Sequence, residues 1–440
     1  MQLHQLFKIL AFSHRFELVI LALCLFFPHL VMGDESRNDK TGLFELSTPR
    51  MLLITDKPID DELRSWPGLL EQSMVQWQTY FRVEQKAIDG LKVTTHLIVD
   101  LEKFQKSGLM DRIPEFQEGY QLGDRLFVRD QPSAYYRRHL FLHEATHWIM
   151  WHLFGGGGSP WFMEGMADMQ GTHLLNAGRL KLGIIPSSPI EVPYWGRLRL
   201  IDDALKQGDA PSISEILAYQ SDRDILKRYA WSWAACVFFT NHPTYGPVLR
   251  DCYAGKLDYS NALSKKLKAK LGDSWNDVNV DWNGFISDLD FGYDVSRSMV
   301  VCGEPSTTNF VGKQKLKLET ERGWQSTGFK IEKGRPVHIE CQGRFRVRSI
   351  ETPKKVEWFS EPQGITIEYY RRNPLGCVLA SVVPEGETEH TKRWETQRIG
   401  KSATITSTAS GTLFLKVNEA SSGLRDNFGS ISVIVSQGAK

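Results

Sequence analysis

Arg138-His-Leu-Phe-Leu-His143-Glu144-Ala-Thr-His147-Trp-Ile-Met-Trp-His152 is an apolar run broken by histidines and one glutamate. Its length and pattern predict a helix. Four residues along a helix turn through about 400°, so His143 and His147 leave one face a turn apart. Two imidazoles so placed can share one zinc ion. Glu144 lies one residue further on and can reach a zinc-held water from the side, as acceptor of its proton. A match as short as HExxH arises by chance, so its flanks decide the reading.

The downstream flank agrees. Gly155-Gly-Gly-Gly158 ends the helix, and Ser159-Pro160 supplies an N-cap and a proline at the first helical position. A new helix is predicted through Trp161-Phe-Met-Glu164-Gly-Met-Ala-Asp168. The helix-turn-helix returns Glu164 to the histidine face as a third ligand. Two histidines, one glutamate and a water make the open tetrahedral site of a catalytic zinc. Asp168, one turn after Glu164, is placed to accept the far N–H of a ligand imidazole and fix its tautomer. His139, His152 and His173 stand near the motif at the wrong spacing, as surface residues or as partners of the ligands.

HExxH, a short gap and Glu-Gly-x-x-Asp together resemble the gluzincin metallopeptidases of the thermolysin-like kind. Met163-Glu-Gly-Met-Ala-Asp-Met-Gln-Gly171 follows that family's segment closely in type, and the order of elements is similar to small secreted bacterial members. The resemblance spans roughly residues 45–295, with its sharp motifs confined to 143–171, and sets a domain at 45–297. It implies an α+β metallopeptidase fold with zinc on His143, His147 and Glu164. Glu144 would be the general base for hydrolysis of a peptide or protein substrate. It further implies an edge strand, here about 120–130, that pairs with extended substrate, and an oxyanion donor on a later helix. Tyr229, in Arg228-Tyr-Ala-Trp-Ser-Trp-Ala-Ala-Cys-Val-Phe-Phe239, matches that donor; a tyrosine packed in an aromatic core helix is the other reading. Two rivals stay open. One is a non-catalytic surface or carbohydrate-binding protein with a degenerate peptidase fold. The other is a zinc hydrolase of a non-peptide amide.

The chain opens with Lys8, His14 and Arg15, then Leu18-Val-Ile-Leu-Ala-Leu-Cys-Leu-Phe-Phe27, then Val31-Met32-Gly33 before charge resumes. That is the layout of a secretory signal over residues 1–33, so export to the periplasm, the extracellular space or the cell surface is expected. An uncleaved anchor is the alternative, since 16–32 nearly spans a bilayer. No later stretch is apolar for long enough to cross a membrane. Lys8 and Arg15 against Glu17 give the segment a net +1, and the whole chain is +1, so the remainder is neutral. A neutral chain without a basic stripe argues against a nucleic-acid partner. Hydrophobic content of 41% and charged content of 24% argue against wholesale disorder. Cys236, Cys252, Cys302, Cys341 and Cys377 form no CxxC pair, which removes a thiolate zinc site; the odd count leaves a free thiol.

Short strands are predicted at 50–56 and 92–100, a helix across 60–87, and a hairpin at 119–130 broken at Gly123. Helical pattern runs from there to about 290. After a link at 298–307, residues 308–438 alternate polar and apolar, as in Val337-His-Ile-Glu-Cys341, Ile365-Thr-Ile-Glu-Tyr369 and Ile431-Ser-Val-Ile-Val435. The pattern predicts an all-β sandwich or barrel. Thr327–Gly343, Gly411–Glu419 and Asp426–Ser430 resemble the LecA-type sandwich of galactophilic lectins. That resemblance implies a calcium site on Glu419, Gly423, Asp426 and Asn427, with the Val347 carbonyl, and a cell-surface glycan as partner. Oxygen-only ligands suit calcium. Two departures weaken the glycan part: Glu419 stands where an aspartate is expected, and the sugar-contact segment reads Ser360-Glu-Pro-Gln363.

Overall fold

The computed structural model describes residues 33–219, 225–300, 312–351, 353–386 and 388–437. The expected signal segment (all but Gly33), Cys302 and most of the expected link at 298–307 lie outside the described residues. By its internal contacts the chain forms two units, one running to Glu144 with His173–Leu182, the other holding Ala145–Thr172 and everything from Gly183.

In the first unit, β1 (Asp34–Arg37), β2 (Phe44–Ser47), β3 (Met51–Thr55), β4 (Val93–Ile98), β5 (Gly119–Leu122) and β6 (Arg125–Arg129) form one sheet, in the order β1-β2-β3-β4-β6-β5. β3, β4 and β6 run parallel, because α1 (Asp61–Phe81) carries the chain back between β3 and β4. Asp60 caps α1 by accepting from the Leu63 N–H at 3.0 Å. The predicted extension to residue 87 stops short. Arg82 turns left-handed at φ 56° and donates its N–H to Gln78 O, leaving Gln85–Ala87 as a separate 3-10 turn. α2 (Leu101–Lys106) seats Phe104 against Ile54, Ile98 and Phe127 on one sheet face. The hairpin β5–β6 turns at Gly123, φ 55°, and leaves β5 as the sheet's edge.

After β6 comes α3 (Ala134–Phe154). Its Phe141, Leu142, Ala145, Trp148, Ile149 and Met150 are all sealed from solvent, so it is buried on every side rather than along one stripe. α4 (Pro160–Gly171) follows the glycine loop, where Gly155 takes φ 79°. The helical pattern expected to continue is then broken by a hairpin, β7 (His173–Asn176) with β8 (Arg179–Leu182). Its Ala177-Gly178 turn has φ 48° and 76°, a turn that twists with its strands. The hairpin is gripped by α1. Gln72 and Gln76, a turn apart, accept from the Leu180 and Leu182 N–H groups at 2.9 and 3.0 Å.

The second unit carries helices α5 (Arg197–Gln207), α6 (Ile213–Leu217), α7 (Ile225–Asn241), α8 (Tyr245–Tyr253), α9 (Ala262–Leu271) and α10 (Trp275–Asp288). α4 and α7 approach closely at Gly165, where a Cβ would stand 2.2 Å from the Ser232 carbonyl oxygen. Two sheets follow. One contains β10 (Gln325–Ile331), β14 (Gln363–Tyr370), β15 (Asn373–Val383) and β18 (Gly411–Val417), with the short β16 (Gln397–Arg398) on β15. The other contains β9 (Gly312–Glu319), β11 (Pro336–Gln342), β17 (Ser402–Thr406) and β19 (Ser430–Gln437). β12 (Phe345–Ile350) and β13 (Val356–Ser360) make a separate hairpin. The alternation read at 337–341 and 431–435 is the inward face, where Val337, Ile339, Ile431, Val433 and Val435 share one core with Leu413, Leu415 and Val417; at 365–369 it is not, since Ile367 and Tyr369 are exposed.

Helices and strands of this unit are bonded together. Residues 391–394, between β15 and β16, lie on α10. Trp282 Nε1 donates to Thr391 Oγ1 at 2.8 Å, Lys392 N to Asn283 Oδ1 at 2.9 Å and Trp394 N to Ser287 Oγ at 2.8 Å. Arg393 reaches Asp202 on α5 at 2.6 Å, and buried Lys416 on β18 pairs with buried Asp288 at 2.6 Å.

His96 gives the first unit a pH response. It is buried in β4, with Nδ1 3.0 Å from Leu126 O and its ring stacked on Phe127 at 4.4 Å. Burial pushes its pKa down from 6.5 to about 4. Below pH 6.5 the unfolded chain takes up a proton that the folded chain refuses, so stability is full above that value and falls as pH drops towards 4. The loss is on the order of 3 kcal/mol at its limit. His96→Phe should flatten the dependence of melting temperature on pH between 6.5 and 4, followed by circular dichroism.

Candidate metal centre

α3 carries His143, Glu144 and His147 on one uninterrupted helix. α4 brings Glu164 to the His147 ring, with Oε2 3.4 Å from Nε2. A tetrahedral ion with legs of about 2.0–2.2 Å spaces its donors about 3.3–3.6 Å apart, so this separation fits. His143, His147 and Glu164 each offer a donor atom, and these atoms all lie within 4.8 Å of one another. His143 and Glu144 are buried, at 6% and 5% exposure, while His147 and Glu164 are half-buried. The group is deep on one side and open on the other, as a site that must admit a ligand requires.

A second group, His139, His143 and Asp168, also has the donors to hold a metal ion and is wholly buried. Its carboxylate is already engaged. Arg197 Nε and Nη2 donate to Asp168 Oδ2 and Oδ1 at 2.7 and 2.9 Å, a two-pronged ion pair sealed from solvent. An aspartate so neutralised suits an imidazole N–H better than a dication, and the three buried groups leave no open position. The first group therefore fits a catalytic metal better.

Arg197 is the residue that sequence reading missed. It opens α5 on the same stripe as Ile201 and Ala204, and a charge on an apolar stripe was the available signal. Its guanidinium carbon also lies 5.6 Å from the centre of the Tyr229 ring on α7, so one cation touches both Asp168 and the nominated oxyanion donor. Tyr229 is half-buried. His139 and His173 are buried rather than on the surface. The His173 ring stacks on Tyr135 at 4.6 Å, and His139 lies 6.2 Å from His143, ring to ring.

The sandwich holds a second cluster. Glu419 is buried, and neither of its carboxylate oxygens has a hydrogen-bond partner; Asp426 Oδ1 and Asn427 Oδ1 are in the same condition. Burial pushes the Glu419 carboxyl up to about 7, opposed by the Asn427 side chain and by Arg348, whose Nη2 is 3.8 Å away. A Cβ on Gly423 would lie 2.3 Å from Glu419 Oε1, so the backbone of residue 423 sits directly against that carboxylate. Asp426 Oδ2 accepts from Ser349 N at 3.0 Å, tying the loop to β12. There Val347 is the extra residue of a bulge between Arg346 and Arg348. Four buried oxygens without donors are costly unless a cation joins them, and an all-oxygen set suits a hard one. Beside them is a cavity of about 360 Å³ lined by Arg348, Glu368, Tyr369, Glu419, Gly423 and Asp426, among others.

No family model matches the chain, and neither does any curated protein. Solved structures similar to parts of it include the following three. The EclA N-terminal domain, a PllA-like lectin, is 22% identical over 28% of this chain and 94% of its own, with a TM-score of 0.21. IMPa from Pseudomonas aeruginosa in complex with an O-glycopeptide is 12% identical over 53% of this chain, with a TM-score of 0.17. The IMPa metallopeptidase in complex with T-antigen is 12% identical over 92% of this chain, with a TM-score of 0.18. The alignments cover only 24% and 49% of those two IMPa chains.

Glu164→Ala removes one of three donors, and the remaining imidazoles hold a dication weakly. Metal analysis of the purified variant should show occupancy falling at least ten-fold at limiting zinc; full occupancy would exclude Glu164 as a ligand.

Proposed function

We propose that this protein is an exported zinc-dependent peptidase of gluzincin type, with a calcium-dependent β-sandwich behind it. The observation that carries the reading is the convergence of His143, His147 and Glu164 within 4.8 Å, one residue from a buried glutamate. Bound zinc would supply an acidified water and a charge that polarises the scissile carbonyl. Glu144, held on the same helix, would accept the water's proton and then deliver it to the leaving amine. Asp168 would fix the ring of His143 through its far N–H, while Arg197 keeps that aspartate ionised and still. The Tyr229 hydroxyl would donate to the oxyanion, and its neighbour Arg197 limits where the ring can go. Substrate would enter from the half-buried side formed by His147 and Glu164. Export rests on the apolar run Leu18–Phe27, ahead of the small residues that a signal peptidase reads.

A second reading has one specific observation in its favour. The orphaned oxygens of Glu419, Asp426 and Asn427 beside a cavity make a built cation site, which a non-catalytic surface-binding protein would use by itself. In the favoured reading Glu419, Asp426, Asn427 and the carbonyls of Gly423 and Val347 hold calcium, and the cavity next to it takes a surface glycan.

Glu144→Gln tests the enzyme directly. The amide cannot take a proton, so zinc content and melting temperature should stay unchanged while cleavage of a fluorogenic peptide library falls at least a hundred-fold, within the ~10²–10⁴ range of general-base catalysis. Comparable cleavage by the variant would remove Glu144 as base. Cleavage by neither protein, with zinc bound, would favour the binding reading.

Calcium should raise the melting temperature of the full chain by linkage, with magnesium a poor substitute because it holds its water and demands a tighter octahedron. Asp426→Ala should abolish that response. Identical melting in calcium and in chelator would make the loop a scaffold only.

A further inference from the structure

β5 begins at Gly119, which pairs with buried Val128 across the β5–β6 ladder and is therefore held in place. Its φ is not in the left-handed region, so the backbone there would accept an alanine without strain. A glycine inside a strand weakens it, and conformational need does not explain this one. Close approach does. A Cβ at 119 would lie 2.4 Å from Glu144 Oε1 and 3.0 Å from both Cδ and Cγ of the same side chain. Real Cβ atoms do not come that near, and the contact runs along the side chain rather than ending at its tip. Glu144 is 5% exposed and has little room to swing away.

We propose that Gly119 is a positioning residue: the missing side chain on the sheet's edge strand forms the slot that holds the Glu144 carboxylate where it acts. Any substituent at 119 occupies the place of that carboxylate and forces it into another rotamer. The proposal rests on the peptidase reading, since it assigns Glu144 its work. The edge strand thereby has a task besides any pairing with substrate, namely setting the direction in which the base points.

Gly119→Ala in the full chain separates the possibilities. The variant should keep one zinc and stay folded, with a small drop in melting temperature, because the clash falls on one side chain while alanine suits the strand backbone. For one fluorogenic peptide chosen from the library, kcat should fall at least ten-fold with KM within three-fold. The acid limb of the kcat–pH profile should also move, because a displaced carboxylate meets a different environment. A second readout needs no turnover: the visible absorption of the cobalt(II)-substituted protein, titrated with pH, should shift its midpoint in Gly119→Ala relative to wild type. In a Glu144→Gln background, adding Gly119→Ala should change residual activity by less than two-fold. An unchanged kcat and an unmoved cobalt midpoint overturn the proposal. So does a loss of activity that only follows unfolding or lost zinc. Wild-type protein that binds cobalt but cleaves nothing defeats the peptidase reading, and the cobalt midpoint still decides the slot. Wild-type protein that binds no metal defeats both.

Discussion

Helix α3 is buried on every side, yet it carries histidines and a glutamate whose removal from water has to be offset inside the protein. That constraint organises much of what surrounds it. At its first turn Arg137 is held by Glu62 of α1 and by Asp130 just beyond β6. On α4, Asp168 is sealed from solvent, and Arg197 meets both of its oxygens. Arg197 in turn comes from α5 and touches the Tyr229 ring on α7. Helices distant in sequence thus keep fixed positions through one buried ion pair, and α4 and α7 close together at Gly165 because no side chain intervenes.

The sandwich is bonded to these helices more firmly than a tethered module needs to be. Asp288 at the end of α10 accepts from Lys416 of β18 and from Arg371, and both Asp288 and Lys416 are buried. Removing Asp288 would leave the buried Lys416 ammonium without a carboxylate, a cost of several kcal/mol, whereas Arg371 would still meet Asp288 if Lys416 were removed. The 391–394 segment satisfies polar groups of α10 with its backbone, and Arg393 extends the connection to α5, the helix that supplies Arg197. The strands therefore brace the helices that hold Asp168.

The two candidate cation sites differ as their donors do. Nitrogen donors and one carboxylate, partly open, match a borderline metal that must keep a free position. Two carboxylates and an amide oxygen match a hard ion. Burial raises the Glu419 carboxyl to about 7, against the opposing pull of Asn427 and Arg348.

The amino-acid sequence by itself determined that His143 and His147 share a face, because helical periodicity is a local property. It also determined that Ser159-Pro160 starts a second helix and that 312–437 alternates as sandwich strands do. It misjudged residues 173–182, where the Ala177-Gly178 turn outweighed the apolar pattern, and it carried α1 past the left-handed turn at Arg82. Only the tertiary structure decided that Arg197 meets Asp168, that Gly119 borders Glu144, and that Val347 is the bulged residue near Asp426. Those are long-range pairings. They depend on which elements pack together, and a chain read one window at a time contains no term for the distance between residues 119 and 144, or 168 and 197.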